Sequence, residues 1–150
     1  MRLFSSFEIS GSGLTAQRLR MDVIANNIAN VNTTRTAQGG PYQRQRVVFE
    51  PRREEAQFLL PLSPEARQKA QGGGAGVRVV GVSSDPSAPR MVYDPGHPDA
   101  DARGYVAMPN IQLVNEMVDM ISATRAYEAN AAAISSAKSM AAKALEIGKG

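Results

Sequence analysis

His97 is the only histidine of the chain, and it sits in the run Asp94-Pro95-Gly96-His97-Pro98-Asp99, with Asp101 close behind. An imidazole among carboxylates is the raw material of an acid–base or metal site. A single loop histidine among turn-forming aspartates is more often solvated, so no site is assigned to it. Gly72 to Gly76 is not a phosphate loop, because no Lys-Ser/Thr follows and the run reads as a linker rather than a strand-to-helix turn. Arg44, Arg46, Arg52 and Arg53 form a basic group suited to phosphates. Glu50, Glu54 and Glu55 dilute its charge, and no interleaved aromatics offer stacking. There is no cysteine, hence no disulfide framework and no thiolate metal site. The expectation is therefore no catalytic residue, no cofactor, no metal and no small-molecule substrate.

The elements that carry these residues are more informative. From Ile111 to Ile147 there is neither Pro nor Gly. Asn110 after Pro109 is a candidate N-cap, and Gly148 supplies a stop. Roughly 37 helical residues make a rod of about 55 Å, longer than a small domain can cover. Leu113, Met117, Met120, Thr124, Tyr127, Ala131, Ile134, Ala141 and Leu145 lie along a heptad seam, interrupted by Lys138. Ile111, Val114, Val118 and Ile121 add a second apolar face. Gln112, Asn115, Glu116 and Asp119 are the wet side of that half. Ala129, Ala131, Ala132 and Ala133 point in nearly every direction, as on a helix buried on several sides.

Residues 1–31 read as a second helix, with Leu3, Phe7, Leu14, Met21, Ile24, Ile28 and Val31 along one stripe. Ile9, Ala16, Leu19 and Val23 form a weaker stripe. Gly11 and Gly13 each cost about 1 kcal/mol in a helix, which leaves the first dozen residues marginally helical. Asn26, Asn27, Asn30 and Asn32 crowd the far end. Asn26 and Asn30 are one turn apart, and buried amides of this kind can fix register between helices.

Between the helices, Tyr42 to Phe49, Val77 to Val82, Arg90 to Tyr93 and Gly104 to Met108 read as strands, with turns at Gly39-Gly40-Pro41, Asp94-Pro95-Gly96 and Asp99 to Gly104. Ser63-Pro64-Glu65 opens a short helix as far as Gln71 within a surface insertion over 52–76. The fold class is α+β, mainly α: long terminal helices packing as a coiled coil, with a small β-rich insert between them. The division is 1–34 and 109–150 for the helical part and 35–108 for the insert.

One hundred and fifty residues make about one domain, and the net charge of +3 is too mild to indicate nucleic acid. No apolar run is long enough to span a membrane. The opening residues lack the apolar stretch of a secretory signal, which alone points to the cytosol. Long, Gly-softened ends that are apolar on several faces suit assembly coupled to folding. The residues expected at assembly contacts are Phe7, Leu14, Met21, Ile24, Asn26, Asn27, Ile28, Asn30 and Val31 on the first helix. On the second they are Val114, Met117, Val118, Met120, Ile121, Tyr127, Ala132, Ile134 and Leu145.

Arg20-Met21-Asp22-Val23-Ile24-Ala25-Asn26-Asn27-Ile28-Ala29-Asn30-Val31-Asn32-Thr33 resembles the N-terminal signature of the flagellar rod and hook axial protein family. The run from Glu116 through Ala123-Thr124-Arg125-Ala126-Tyr127 to Asn130 resembles that family's C-terminal helix signature. The Asp94-Pro95-Gly96-His97-Pro98 turn and the short length point within the family to the proximal rod. The resemblance covers about 1–51 and 76–148, and Arg52 to Ala75 departs from it as longer than usual.

The resemblance implies a structural subunit of a helical rod crossing the periplasm, a drive shaft that transmits torque and encloses the export channel. It implies an inner coiled-coil layer made by both terminal helices and an outer layer made by the β insert. It implies export as an unfolded chain through the flagellar type III apparatus without a cleaved signal, which reverses the cytosolic reading. The implied partners are copies of itself, other proximal and distal rod subunits and the rod-base adaptor. Two other readings stand beside it: a soluble helical adaptor forming a finite oligomer, and a nucleic-acid-binding module using Arg44 to Arg53.

Overall fold

The structure, a computed structural model, describes residues 2–52 and 74–148. Helix α1 spans Arg2–Ala29. Among the described residues four strands follow, β1 (Gln45–Pro51), β2 (Val77–Ser84), β3 (Arg90–Tyr93) and β4 (Tyr105–Met108), and then helix α2 (Leu113–Ile147). The α+β architecture with long terminal helices is the expected one. The expected short helix after Ser63 and most of the insertion over 52–76 lie outside the described residues. Among the described helices none is long and apolar enough to cross a membrane.

Helix α1 runs through both Gly11 and Gly13, so the expected soft start is helical from Arg2. α2 is 35 residues long, about 52 Å. It starts two residues later than a cap at Asn110 suggests. Pro109 is buried and Ile111 is 5% exposed, which holds the chain extended there. The Gln112 carbonyl accepts the first helical bond, from the Glu116 N–H at 3.1 Å, and the Gln112 side chain accepts from Asn115 Nδ2 at 2.6 Å. Gln112, not Asn110, is the residue at the cap.

β1 and β2 form one two-stranded sheet, β3 and β4 another. The first is closed by Asp85 N–H to Arg44 C=O at 2.7 Å and Arg52 N–H to Gly76 C=O at 2.8 Å, the pairing of antiparallel strands. Gln45, Val47 and Phe49 alternate with exposed neighbours, so β1 has one covered face. β3 and β4 are antiparallel with Val92 opposite Val106 and Tyr93 opposite Tyr105. Val106 is fully buried, and the two tyrosine rings meet edge to face at 5.3 Å.

The chain divides into two compact units. One holds α1 to Arg18, the strand residues around Phe49–Pro51 and Val77–Val80, and α2 from Arg125 onward. Within it, Ser12 Oγ accepts from Val77 N–H at 3.1 Å and donates to Ile9 C=O at 2.7 Å. Gly13 faces Asn130 so closely that a Cβ there would sit 2.9 Å from Asn130 Oδ1. The other unit comprises Leu19–Val48 and Gly81–Thr124. There the helices run antiparallel: Arg20 meets Asp119, Met21 meets Thr124, and Asn27 meets Glu116.

The buried side of α2 differs from the expected seam. The covered positions are Glu116, Ala123 and Ala137, with Met120, Tyr127, Asn130, Ile134 and Ala141 partly covered. Met120, Tyr127, Ile134 and Ala141 belong to the expected seam. Leu113, Met117, Ala131 and Leu145 belong to it too, but they are exposed. Glu116, read as wet, is 1% exposed. The heptad is real, but alternate positions are filled by Glu, Ala, Asn and Ala rather than by large apolar residues. On α1 the chain buries Ser10, Ala16, Val23 and Asn27 together with Ile24 of the stronger stripe, and leaves Phe7, Leu14, Met21, Ile28 and Val31 of that stripe half-covered.

Candidate functional site

The second unit is built around a polar cluster. Asn27, two residues before the end of α1, is 1% exposed. Its Nδ2 donates to the Gln45 carbonyl at 2.9 Å and to Glu116 Oε2 at 3.0 Å. Its Oδ1 accepts from the Gln45 N–H at 2.9 Å and from the Tyr42 hydroxyl at 3.2 Å. The amide thus stands in for a strand partner at the first residue of β1. Gly39 and Gly40 take positive φ, and the Tyr42 N–H bonds to the Thr33 carbonyl at 3.1 Å, which brings this segment back along α1.

Glu116 is held from its other oxygen by Arg44, Nε at 2.6 Å and Nη2 at 2.5 Å. Arg44 also reaches Asp119 at 3.4 Å, and Asp119 takes Arg20 at 3.1 Å. A carboxylate buried this deeply is tolerable only with its lone pairs engaged, and here both oxygens are. Burial, and then the negative charge of Glu116, push the Tyr42 hydroxyl above its ordinary pKa. Beside the cluster, Asp85 receives the Ser87 side chain and N–H, which lower its pKa, with smaller help from Arg46 and Arg44.

This arrangement is structural rather than chemical in character: each charge faces an opposite one. Arg44 and Arg46 spend their charge on Glu116, Asp119 and Asp85, which removes them from the basic group seen in the sequence. Arg53 lies outside the described residues. His97 accepts the Asp99 N–H on Nδ1 at 3.1 Å, and Asp99 accepts from Thr34 at 2.8 Å, so the turn is tied to the segment that follows α1. Among the described residues no group of three or more metal-type ligands comes together.

The residues expected at assembly contacts fall into three states. Asn27 and Ile24 are buried within the chain. Phe7, Leu14, Met21, Ile28, Asn30, Val31, Met120, Tyr127 and Ile134 are half-buried. Asn26, Ala132 and Leu145 are exposed, and so is an unbroken apolar face of α2: Leu113, Val114, Met117, Val118 and Ile121, with Val114 71% and Val118 61% exposed. A monomer rarely exposes so much apolar surface in one place without using it. Local pattern misses Glu116, Arg44 and Tyr42, whose partners lie 15 to 89 residues away and leave no signature in the neighbouring sequence.

Comparison with known proteins bears on both helices. Residues 7–35 match the family model for "Flagella basal body rod protein", and residues 102–147 match the C-terminal model of the flagellar basal body rod FlgEFG proteins. Across its whole length the chain is 53% identical to the flagellar basal-body rod protein FlgC of Borreliella burgdorferi, covering all of that protein as well. The chain belongs to the FlgC family of flagellar basal-body rod proteins. FlgC of Bacillus subtilis is 44% identical and FlgC of Salmonella typhimurium 39%, each over 99% of this chain and all of the relative. The two family models take in Asn27, Glu116 and Asp119, while Tyr42 and Arg44 fall between them, within the full-length match to the FlgC relatives.

Proposed function

We propose that this chain, a structural subunit of the flagellar basal-body rod, polymerises through its terminal helices with copies of itself and with other rod proteins. The reading rests on family membership and on one observation, the uncovered face of α2 from Leu113 to Ile121. Burying several Val, Met and Ile side chains at about 1.5–3 kcal/mol each is a sufficient drive for subunit contact. A contact of this kind between unlike surfaces, repeated head to tail, generates a helical filament rather than a closed pair.

In this proposal the subunit belongs to the proximal part of a rod that crosses the periplasm, with the rod-base adaptor and other proximal and distal rod subunits as partners. Residues 1–34 and 109–150 make the inner coiled-coil layer and 35–108 the outer one. The chain leaves the cell unfolded through the flagellar type III apparatus, without a cleaved signal. Its part is mechanical: it transmits torque and encloses the export channel, with no catalysis, cofactor or nucleic acid. Replacing Val114 and Val118 with Ser tests the contact. Both side chains face solvent in the monomer, so the variant should be made and exported normally and be missing from basal bodies. Normal incorporation would place the contact elsewhere, and a finite oligomer in solution would favour the soluble adaptor.

A further inference from the structure

We propose that Asn27, Arg44 and Glu116 act as a register lock, which fixes the alignment of α2 along α1 where apolar packing does not. The apolar pattern of the pair is weak. In the unit that holds the cluster, the α2 positions facing α1 are Glu116, Asp119, Met120, Ala123 and Thr124. Sliding α2 by one heptad, about 10.5 Å, would put Ala123 in the place of Glu116 and Tyr127 in that of Met120. The same slip would put Asn130 in the place of Ala123 and Ala131 in that of Thr124, so Met120 is the only large apolar side chain among these positions that marks the alignment. The polar groups discriminate strongly. In the slipped alignment Asn27 Nδ2 loses Glu116, and Arg44 loses the carboxylate that it now holds through two nitrogens. Glu116 meanwhile would leave both of its present partners. Buried polar groups of this kind select one helix register at some cost in stability.

The lock also joins three separate pieces of chain. Asn27 ties α1 to the backbone of Gln45, Arg44 lies on the same returning segment, and Glu116 belongs to α2. The register of the helices is therefore set only when the segment after α1 has folded back. The lock belongs to the fold of the subunit and does not depend on the subunit's place in the rod.

The chain has no cysteine, so introduced thiol pairs report alignment without background. Met21→Cys with Thr124→Cys reads the native register, where Met21 Sδ and Thr124 Oγ1 are 3.5 Å apart. Met21→Cys with Ala131→Cys reads a one-heptad slip. Each pair is placed in the full-length chain, with the lock intact or replaced by Arg44→Met and Glu116→Leu, and treated with a thiol cross-linker much shorter than one heptad. With the lock intact, only the native pair should join. Without it, helical content by circular dichroism should be kept, and joining of the slipped pair should rise by about tenfold, the effect of losing roughly 1.4 kcal/mol of discrimination. Native-only joining in the folded double variant would overturn the inference and assign the register to the buried Pro109–Ile111 segment. Loss of helical content in that variant would also overturn it, because the cluster would then be needed for folding itself. Slipped joining with the lock intact would overturn it directly.

Discussion

Asn27 and Glu116 lie 89 residues apart in sequence and share a 3.0 Å hydrogen bond, each with about 1% of its surface exposed. The end of one helix and the start of the other are joined by a polar contact at a place where most helix pairs put leucine or isoleucine. Removing one side of such a contact leaves the rest buried and unpaired. Glu116→Ala should cost about 2–3 kcal/mol, less than for a fully buried pair, because Arg44 keeps some access to solvent and to Asp119. Urea unfolding followed by circular dichroism measures this, and a loss under about 1 kcal/mol would mean that the cluster relaxes easily.

Tyr42 gives a pH signature. Its folded pKa is raised above the usual value of 10.0 by burial and by Glu116. The neutral hydroxyl is thus favoured in the folded state. Its stabilising share is fully present below pH 10 and is lost as pH rises through the folded pKa. Tyr42→Phe should cost about 1 kcal/mol near neutrality, for the hydrogen bond to Asn27. The difference between the two proteins should shrink above pH 10. A constant difference from about pH 7 to 11 would rule out burial beside Glu116 as the source of the shift.

Two glycines of α1 should respond in opposite ways to alanine. Nothing lies within 4 Å of a Cβ at Gly11, so Gly11→Ala should stabilise the helix by up to about 1 kcal/mol. At Gly13 the same change meets Asn130 at 2.9 Å, and Asn130 Nδ2 is committed to the Ala126 carbonyl at 2.8 Å. Gly13→Ala should lose that gain, and adding Asn130→Ala should restore it. Equal melting shifts for the two single variants would show that Asn130 moves aside freely.

What the sequence makes legible follows from local pattern. α2 is evident because Ile111 to Ile147 contains no helix breaker, and β3 because Arg90 to Tyr93 is bounded by Pro89 and Asp94-Pro95-Gly96. The face of α2 turned to α1 is not, because Glu116, Ala123, Asn130 and Ala137 carry no hydrophobic signal. A search for large apolar residues finds instead Leu113, Met117, Val114 and Val118, which the monomer leaves in solvent. The helix start is misplaced by the sequence because the burial of Ile111 outweighs the capping preference of Asn110. The polar cluster is invisible there because its members are distant in sequence, and each one alone reads as a surface residue.

Ala132 is exposed in the structure, so Ala132→Arg should leave the fold within about 0.5 kcal/mol of the parent. If neighbouring subunits close on this side of α2, an arginine there would be buried without a partner. The variant should then be made and exported but be missing from the rod, as judged by comparing secreted with basal-body-bound protein. Normal incorporation would put the contact on another side of the helix.

The central claim is that α2 from Leu113 to Ile121 is covered by other rod subunits. Cryo-electron microscopy of isolated basal bodies, at a resolution that places side chains, tests it most directly. Side chains of neighbouring subunits should then lie within about 4 Å of Val114, Met117, Val118 and Ile121. A rod in which those four residues face solvent or the open channel would contradict it.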